Sequence, residues 1–89
     1  MNTVLIGRGK VIPLTPNREL IFRRELAACK RRRHSHGVHF GDMADCYVEV
    51  THHGKTTRYG IYGRSVIKDE KTQKAWQFYF GLLLLEWLR

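Results

Sequence analysis

Apolar and polar residues alternate along residues 46–62, with one break at residues 53–54. If this break is a two-residue hairpin loop, Glu49 lies opposite Arg58, and the apolar residues of both segments share the other face. A single register therefore satisfies the alternation on both sides of the loop and pairs opposite charges. The pattern predicts a β-hairpin that is half-buried in an antiparallel sheet.

A second hairpin is predicted near the start of the chain. Residues 3–6 and 11–12 are rich in β-branched side chains and flank the segment Gly7-Arg8-Gly9-Lys10. Glycine supplies the positive φ that a tight reversal requires, and the spacing does not match a phosphate-binding loop. Pro13 ends the second strand or keeps it at a sheet edge, because proline has no N–H to donate to a neighbouring strand.

Residues 16–33 have the features of a helix. Thr15 is a suitable N-cap, and Pro16 fits the first helical position. A period of 3.6 residues places Phe22, Leu26 and Cys29 on one face and collects basic residues on other rows. The prediction is a helix from Pro16 to about Arg33, with one apolar face towards the core and one cationic face.

Residues 34–42 lack a sustained period and contain two glycines, so they are predicted to form a loop. Residues 63–67 either continue the preceding strand or connect it to the next element. The charged residues 68–71 are predicted to form a surface turn or the start of a helix.

Residues 75–88 contain both tryptophans and the longest apolar run of the chain. Helical spacing collects Trp76, Phe80 and Leu83 on one stripe, and the unbroken leucines favour a helix. A strand over Trp76–Phe80 is the alternative, because aromatic residues favour strands and Gly81 weakens a helix.

The leucines at the end of this run are more numerous than a fold of this size is expected to cover. We therefore predict that three of them form a surface for a partner protein or for a second copy of the chain in a homodimer. These residues are Leu84, Leu85 and Leu88.

Together these elements predict an α+β fold in one domain, residues 1–89, with the order β-β-α-β-β-α. The two hairpins form a small antiparallel sheet, and the two helices pack on one face of it. The C-terminal run is shorter than the roughly 20 apolar residues that span a bilayer, so no membrane partner is predicted. Two cysteines and the lack of a visible export signal favour a cytoplasmic protein.

The distribution of charge adds a prediction about function. The chain has a net charge of +8, and residues 1–33 contribute +7 of it, from nine basic and two acidic residues. Arginine forms bidentate contacts with phosphate, so we expect a cationic helix that binds the backbone of DNA or RNA without catalysis. The predicted nucleic-acid-binding residues are Arg8, Lys10, Arg23, Arg24, Lys30, Arg31, Arg32 and Arg33.

Two other functions are consistent with the sequence. The first is a small interaction module or inhibitor whose basic face meets an acidic partner protein, for example within a nucleic-acid-handling complex. The second is a metal-independent ribonuclease, in which His36 or His39 transfers protons and Arg31 or Arg33 stabilises the developing negative charge. Only proximity in sequence supports this enzyme.

Histidines raise the question of a metal site. His34, His36 and His39 are close in sequence and are weak candidate ligands, with Cys29 and Cys46 as further donors. Their spacing matches no standard zinc motif, and the chain has no Cys-x-x-Cys pair. No metal and no cofactor are therefore predicted.

Overall fold

The structure is a computed structural model, which describes residues 2–36 and 43–89. The described residues form two helices and seven strands, joined in one antiparallel sheet. The strands are β1 (Asn2–Gly7), β2 (Lys10–Pro13), β3 (Ser35–His36), β4 (Cys46–His52), β5 (Lys55–Tyr62), β6 (Val66–Asp69) and β7 (Lys74–Gln77). The helices are α1 (Pro16–Lys30) and α2 (Gly81–Trp87), and the strand order across the sheet is β2-β1-β4-β5-β6-β7-β3. The predicted α+β class is confirmed, and the sheet is larger than two hairpins.

The hairpin of β4 and β5 has the predicted register, with Glu49 opposite Arg58. Its loop is His53-Gly54, with φ angles of 51° and 75°. The loop of the hairpin of β1 and β2 is Arg8-Gly9, with φ angles of 51° and 71°. Positive φ at both loop residues matches the right-handed twist of the strands that such a loop connects. β2, which ends at Pro13, lies at the sheet edge as predicted.

Helix α1 begins as predicted, since the Thr15 side chain accepts a hydrogen bond from the Arg18 backbone N–H at 3.3 Å. It ends at Lys30, three residues earlier than expected, and Arg31 is the C-cap. The Arg31 N–H bonds to the Ala28 carbonyl at 3.3 Å, which closes the last turn. The prediction that the helix continues to Arg33 is therefore wrong.

The core lies between one face of the sheet and both helices, as predicted. Every second residue of the central strands points to this face, and α1 and α2 each contribute apolar side chains. The fully buried members include Leu5, Phe22, Cys29, Cys46, Val48, Ile61, Ile67, Phe78, Leu84 and Leu88.

The prediction of a helix over Trp76–Phe80 is wrong, and the strand alternative is correct only for Trp76 and Gln77. Trp76 lies in β7 opposite Ile67 of β6, whereas Phe78, Tyr79 and Phe80 lie between β7 and α2. Helix α2 begins only at Gly81, where a Cβ atom would overlap the Arg64 backbone carbonyl. Glycine thus permits the helix to start directly against the turn between β5 and β6.

The prediction of three surface leucines is wrong for Leu84 and Leu88, which are 1% and 0% exposed. Leu84 lies in α2 and Leu88 is its C-cap, four residues later, so both side chains lie on the same side and enter the core together. Leu85 is half-buried, and the exposed leucine of α2 is Leu82, at 59%. The later start of the helix explains the error, because Trp76 is not part of α2, and Leu84 and Leu88 form its buried side instead.

The predicted loop over residues 34–42 is only partly described. Within this range Ser35–His36 form β3, in which Ser35 pairs with Ala75 of β7, so these two residues are strand rather than loop. Residues 37–42, including His39, lie outside the described residues. Within the described ranges, neither helix is long and apolar enough to cross a membrane.

Replacing Leu84 by alanine should lower the free energy of unfolding by about 2 to 5 kcal/mol, because a cavity replaces a fully buried side chain. The matched control is Leu82→Ala, which truncates an exposed leucine of the same helix and should change stability by less than about 0.5 kcal/mol. Urea denaturation of both variants measures the difference. Equal effects would contradict the assignment of Leu84 to the core.

Candidate nucleic-acid interface

An open groove of about 490 Å³ runs between α1 and the sheet, and we call it the α1 groove. Its apolar lining comes from both the helix and the hairpin of β4 and β5, and its basic residues all belong to α1. The lining residues are Leu20, Arg23, Arg24, Leu26, Ala27, Lys30, Val50 and Tyr59.

Lys30 has the most defined position of the three basic residues. Its Nζ atom donates a hydrogen bond of 2.5 Å to the Tyr59 hydroxyl. The same atom lies 4.9 Å from the centre of the Tyr59 ring and 5.4 Å from that of Trp76. Lys30 is seven residues, or about two helical turns, after Arg23, so both side chains lie along the same groove.

Arg23 and Arg24 are exposed, and within the described part of the chain neither forms an ion pair. The lysine and arginine ion pairs that the described residues do form are Arg58 with Glu49 at 2.6 Å and Lys68 with Glu70 at 3.7 Å. Both pairs lie on the sheet face opposite α1, because their residues alternate with the core residues of β5 and β6. Arg23 and Arg24 therefore have no paired carboxylate among residues 2–36 and 43–89.

The basic residues that follow α1 differ from one another. The Arg32 Nη1 atom donates to the Gln77 carbonyl at 3.1 Å, and its guanidinium carbon lies 4.9 Å from the centre of the Tyr79 ring. These contacts attach Arg32 to the end of β7. Arg31 and Arg33 are exposed.

Two residues of the predicted set lie elsewhere. The Lys10 Nζ atom donates to the Leu88 carbonyl at 2.9 Å and so binds the end of α2 to the first hairpin. Arg8 lines a second pocket, which shares no lining residue with the α1 groove. The structure therefore brings together Arg23, Arg24 and Lys30, and it separates Arg8 and Lys10 from them.

The second pocket has a volume of about 260 Å³, and we call it the arginine pocket. Its lining residues are Arg8, Arg64, Leu82, Leu85, Glu86 and Arg89. Sequence reasoning did not group its three arginines, because they come from two turns and the end of α2. No local spacing pattern could have found this set.

The described residues contain no group of three or more His, Cys, Asp or Glu side chains placed to hold a metal ion. The His34 ring packs edge-on against Trp76, with centroids 6.1 Å apart. Because His39 lies outside the described residues, a joint role of His36 and His39 as ligands or as ribonuclease residues stays a prediction.

Both cysteines are fully buried, and this burial has chemical consequences. Burial raises the pKa of the Cys29 thiol to about 11 and that of the Cys46 thiol to about 12. Arg32 and Lys30 act on Cys29 in the opposite direction, but burial is the larger effect. Since the thiolate is the nucleophile and the metal ligand, neither side chain is suited to these roles at neutral pH.

Comparisons of the chain with models of protein families, with curated protein sequences and with solved protein structures find no match. The geometry of the two sites is therefore the basis for a functional proposal.

The raised thiol pKa values predict slow alkylation of the folded protein. A pKa of about 11 in place of 9.0 lowers the thiolate fraction of Cys29 about a hundredfold at neutral pH, and burial hinders access further. Mass spectrometry after iodoacetamide treatment should find both cysteines unmodified in the native protein and modified in urea. Rapid labelling of the native chain would contradict this prediction.

The same shifts predict how stability depends on pH. Each folded-state pKa lies above the ordinary value of 9.0, so the folded chain holds its thiol protons more tightly than the unfolded chain. The stability from this difference is present below about pH 9 and decreases as the pH rises towards about 11 or 12. Urea denaturation across this range should show less of this decrease for Cys46→Ala than for the unchanged protein.

Proposed function

We propose that the protein binds single-stranded nucleic acid through the α1 groove, with its three basic side chains on the phosphate backbone. The observation that carries this proposal is the lack of any ion pair to Arg23, Arg24 or Lys30 within the described residues. Unpaired cations along one helix repel one another, and a row of phosphates would relieve that repulsion.

The apolar lining of the groove favours single strands over duplexes. In a single strand the bases leave the stack and can pack on an apolar surface while the phosphates contact cations. Leu20 and Ala27 are exposed and offer such a surface beside Arg23 and Arg24. Tyr59 is only 4% exposed, so it belongs to the floor of the groove and does not act as a stacking platform.

The exposed residues Arg31 and Arg33 lie beyond the end of α1 and extend the positive field. Contacts of this kind are independent of base sequence, so the proposed binding is non-specific. Arg32 contributes less to binding, since its guanidinium group already contacts Gln77 and Tyr79.

The variant Arg23→Gln/Arg24→Gln tests this interface. It should weaken binding to a fluorescent single-stranded oligonucleotide, and the slope of log K against log salt should decrease by about 1.4, the value for two lost phosphate contacts. Anisotropy titrations at several salt concentrations measure both quantities, with a duplex of the same sequence as a second probe.

The matched control is Lys55→Gln/Lys71→Gln, which removes the same two charges from exposed positions outside the groove. It lowers the net charge of +8 equally, so it should leave the slope nearly unchanged. If both double variants weaken binding alike, the effect is one of overall charge, and the α1 groove is not the interface.

An acidic partner protein is the second candidate, and the apolar floor of the groove favours it. A partner helix could place apolar residues between α1 and the hairpin of β4 and β5, with acidic residues against Arg23 and Arg24. The protein would then act as a small interaction module or inhibitor. Binding of an acidic amphipathic peptide, together with no binding of any oligonucleotide at low salt, would support this candidate over the first.

A further inference from the structure

The arginine pocket brings together side chains from three separate parts of the fold. Arg8 lies in the loop between β1 and β2, Arg64 in the turn between β5 and β6, and Arg89 just beyond α2. Within the described residues none of the three forms an ion pair. Three guanidinium groups around one pocket repel one another unless an anion lies between them.

The positive and negative side chains that line this pocket do not cancel one another. The side chains of the three arginines and of Glu86 together carry a charge of +2, because arginine stays protonated under all ordinary conditions. A phosphate monoester carries about −1.5 to −2 near neutral pH, and its oxygens accept bidentate hydrogen bonds from arginine. The Asp45 carboxylate accepts a hydrogen bond from the Arg64 backbone N–H at 3.0 Å.

The walls of the pocket are held in place by the core. Lys10 binds the Leu88 carbonyl, which attaches the end of α2 to the first hairpin, and Gly81 lies directly against the Arg64 carbonyl. Leu82 and Leu85 form an apolar wall beside the arginines. A volume of about 260 Å³ corresponds to roughly nine water molecules, enough for a phosphate group and part of the group that carries it.

We propose that the arginine pocket binds a phosphate monoester, with Arg8, Arg64 and Arg89 on its oxygens. The attached group then packs against Leu82 and Leu85. This proposal does not rest on the α1 groove, with which the pocket shares no lining residue. The phosphate can come from a small phosphorylated molecule or from the terminal phosphate of a nucleic-acid strand.

Two substitutions remove charge from the pocket without disturbing the backbone. Arg8 and Arg64 have φ angles of 51° and 64°, a left-handed conformation that asparagine adopts more readily than arginine. The double variant Arg8→Asn/Arg64→Asn should therefore fold at least as well as the original chain. His53→Asn is the control, since His53 has the same φ of 51° in a loop outside the pocket.

Calorimetric titration with a nucleoside 5′-monophosphate tests the proposal, with the phosphate-free nucleoside and a cyclic phosphodiester as comparisons. The monophosphate should bind, the nucleoside should not, and the singly charged diester should bind more weakly. The double variant should lose at least about tenfold in affinity for the monophosphate, because it loses two charged hydrogen-bond donors. His53→Asn and Arg23→Gln/Arg24→Gln should bind it as the original chain does.

Oligonucleotides of one sequence, with and without a 5′-phosphate, are then tested as competitors of the bound nucleoside monophosphate. This competition identifies the source of the phosphate. If the phosphorylated strand competes better than both the unphosphorylated strand and the nucleoside monophosphate, the ligand is a strand terminus; otherwise the ligand is a small molecule. Equal monophosphate affinity for the double variant and the original chain would overturn the proposal. Loss of monophosphate binding in Arg23→Gln/Arg24→Gln would overturn it too, whereas failure of oligonucleotide binding to the α1 groove alone would not.

Discussion

The contact between Phe22 and Phe78 fixes the arrangement on which both candidate sites depend. Their ring centroids are 6.0 Å apart at an interplanar angle of 62°, an edge-to-face geometry, and both side chains are almost fully buried. Phe22 belongs to α1, and Phe78 follows β7, where its N–H bonds to the Ser65 carbonyl at 2.8 Å. This aromatic pair therefore joins α1 to the segment through which the chain leaves the sheet for α2.

The orientation of α1 determines where its charges lie. With Phe22 directed into the core, Arg23 and Arg24 are rotated from it by about 100° and 200° around the helix, and they face solvent and the groove. Among the cations of the groove, Lys30 is positioned by the rings of Tyr59 and Trp76. A ring attracts a cation through its quadrupole but carries no net charge, so these contacts hold the Lys30 side chain in place without neutralising its charge.

The sequence predicts the parts of this fold and of its sites that depend on near neighbours. The register of β4 and β5 follows from alternation and a two-residue loop, and the grouping of Arg23 with Lys30 follows from the helical period. The region around Trp76 was predicted incorrectly, because its apolar spacing fits a helix and only pairing with Ile67, a tertiary contact, makes it a strand. The three arginines of the arginine pocket are far apart in the sequence, because each belongs to a different part of the fold. Charge density along the sequence therefore indicated the cations of α1 but not the clustering of Arg8, Arg64 and Arg89.

Helix α2 explains why the arginine pocket can be as stable as the core. A helix of seven residues is too short to persist alone in water, so α2 exists only through its packing. Leu84 and Leu88 supply that packing from the same turns that carry Leu85 and Glu86 into the pocket. Opening the pocket by moving α2 would expose both buried leucines, at a cost of roughly 1.5 to 3 kcal/mol for each side chain. The apolar wall and Glu86 are consequently held in place by the packing of α2 on the core.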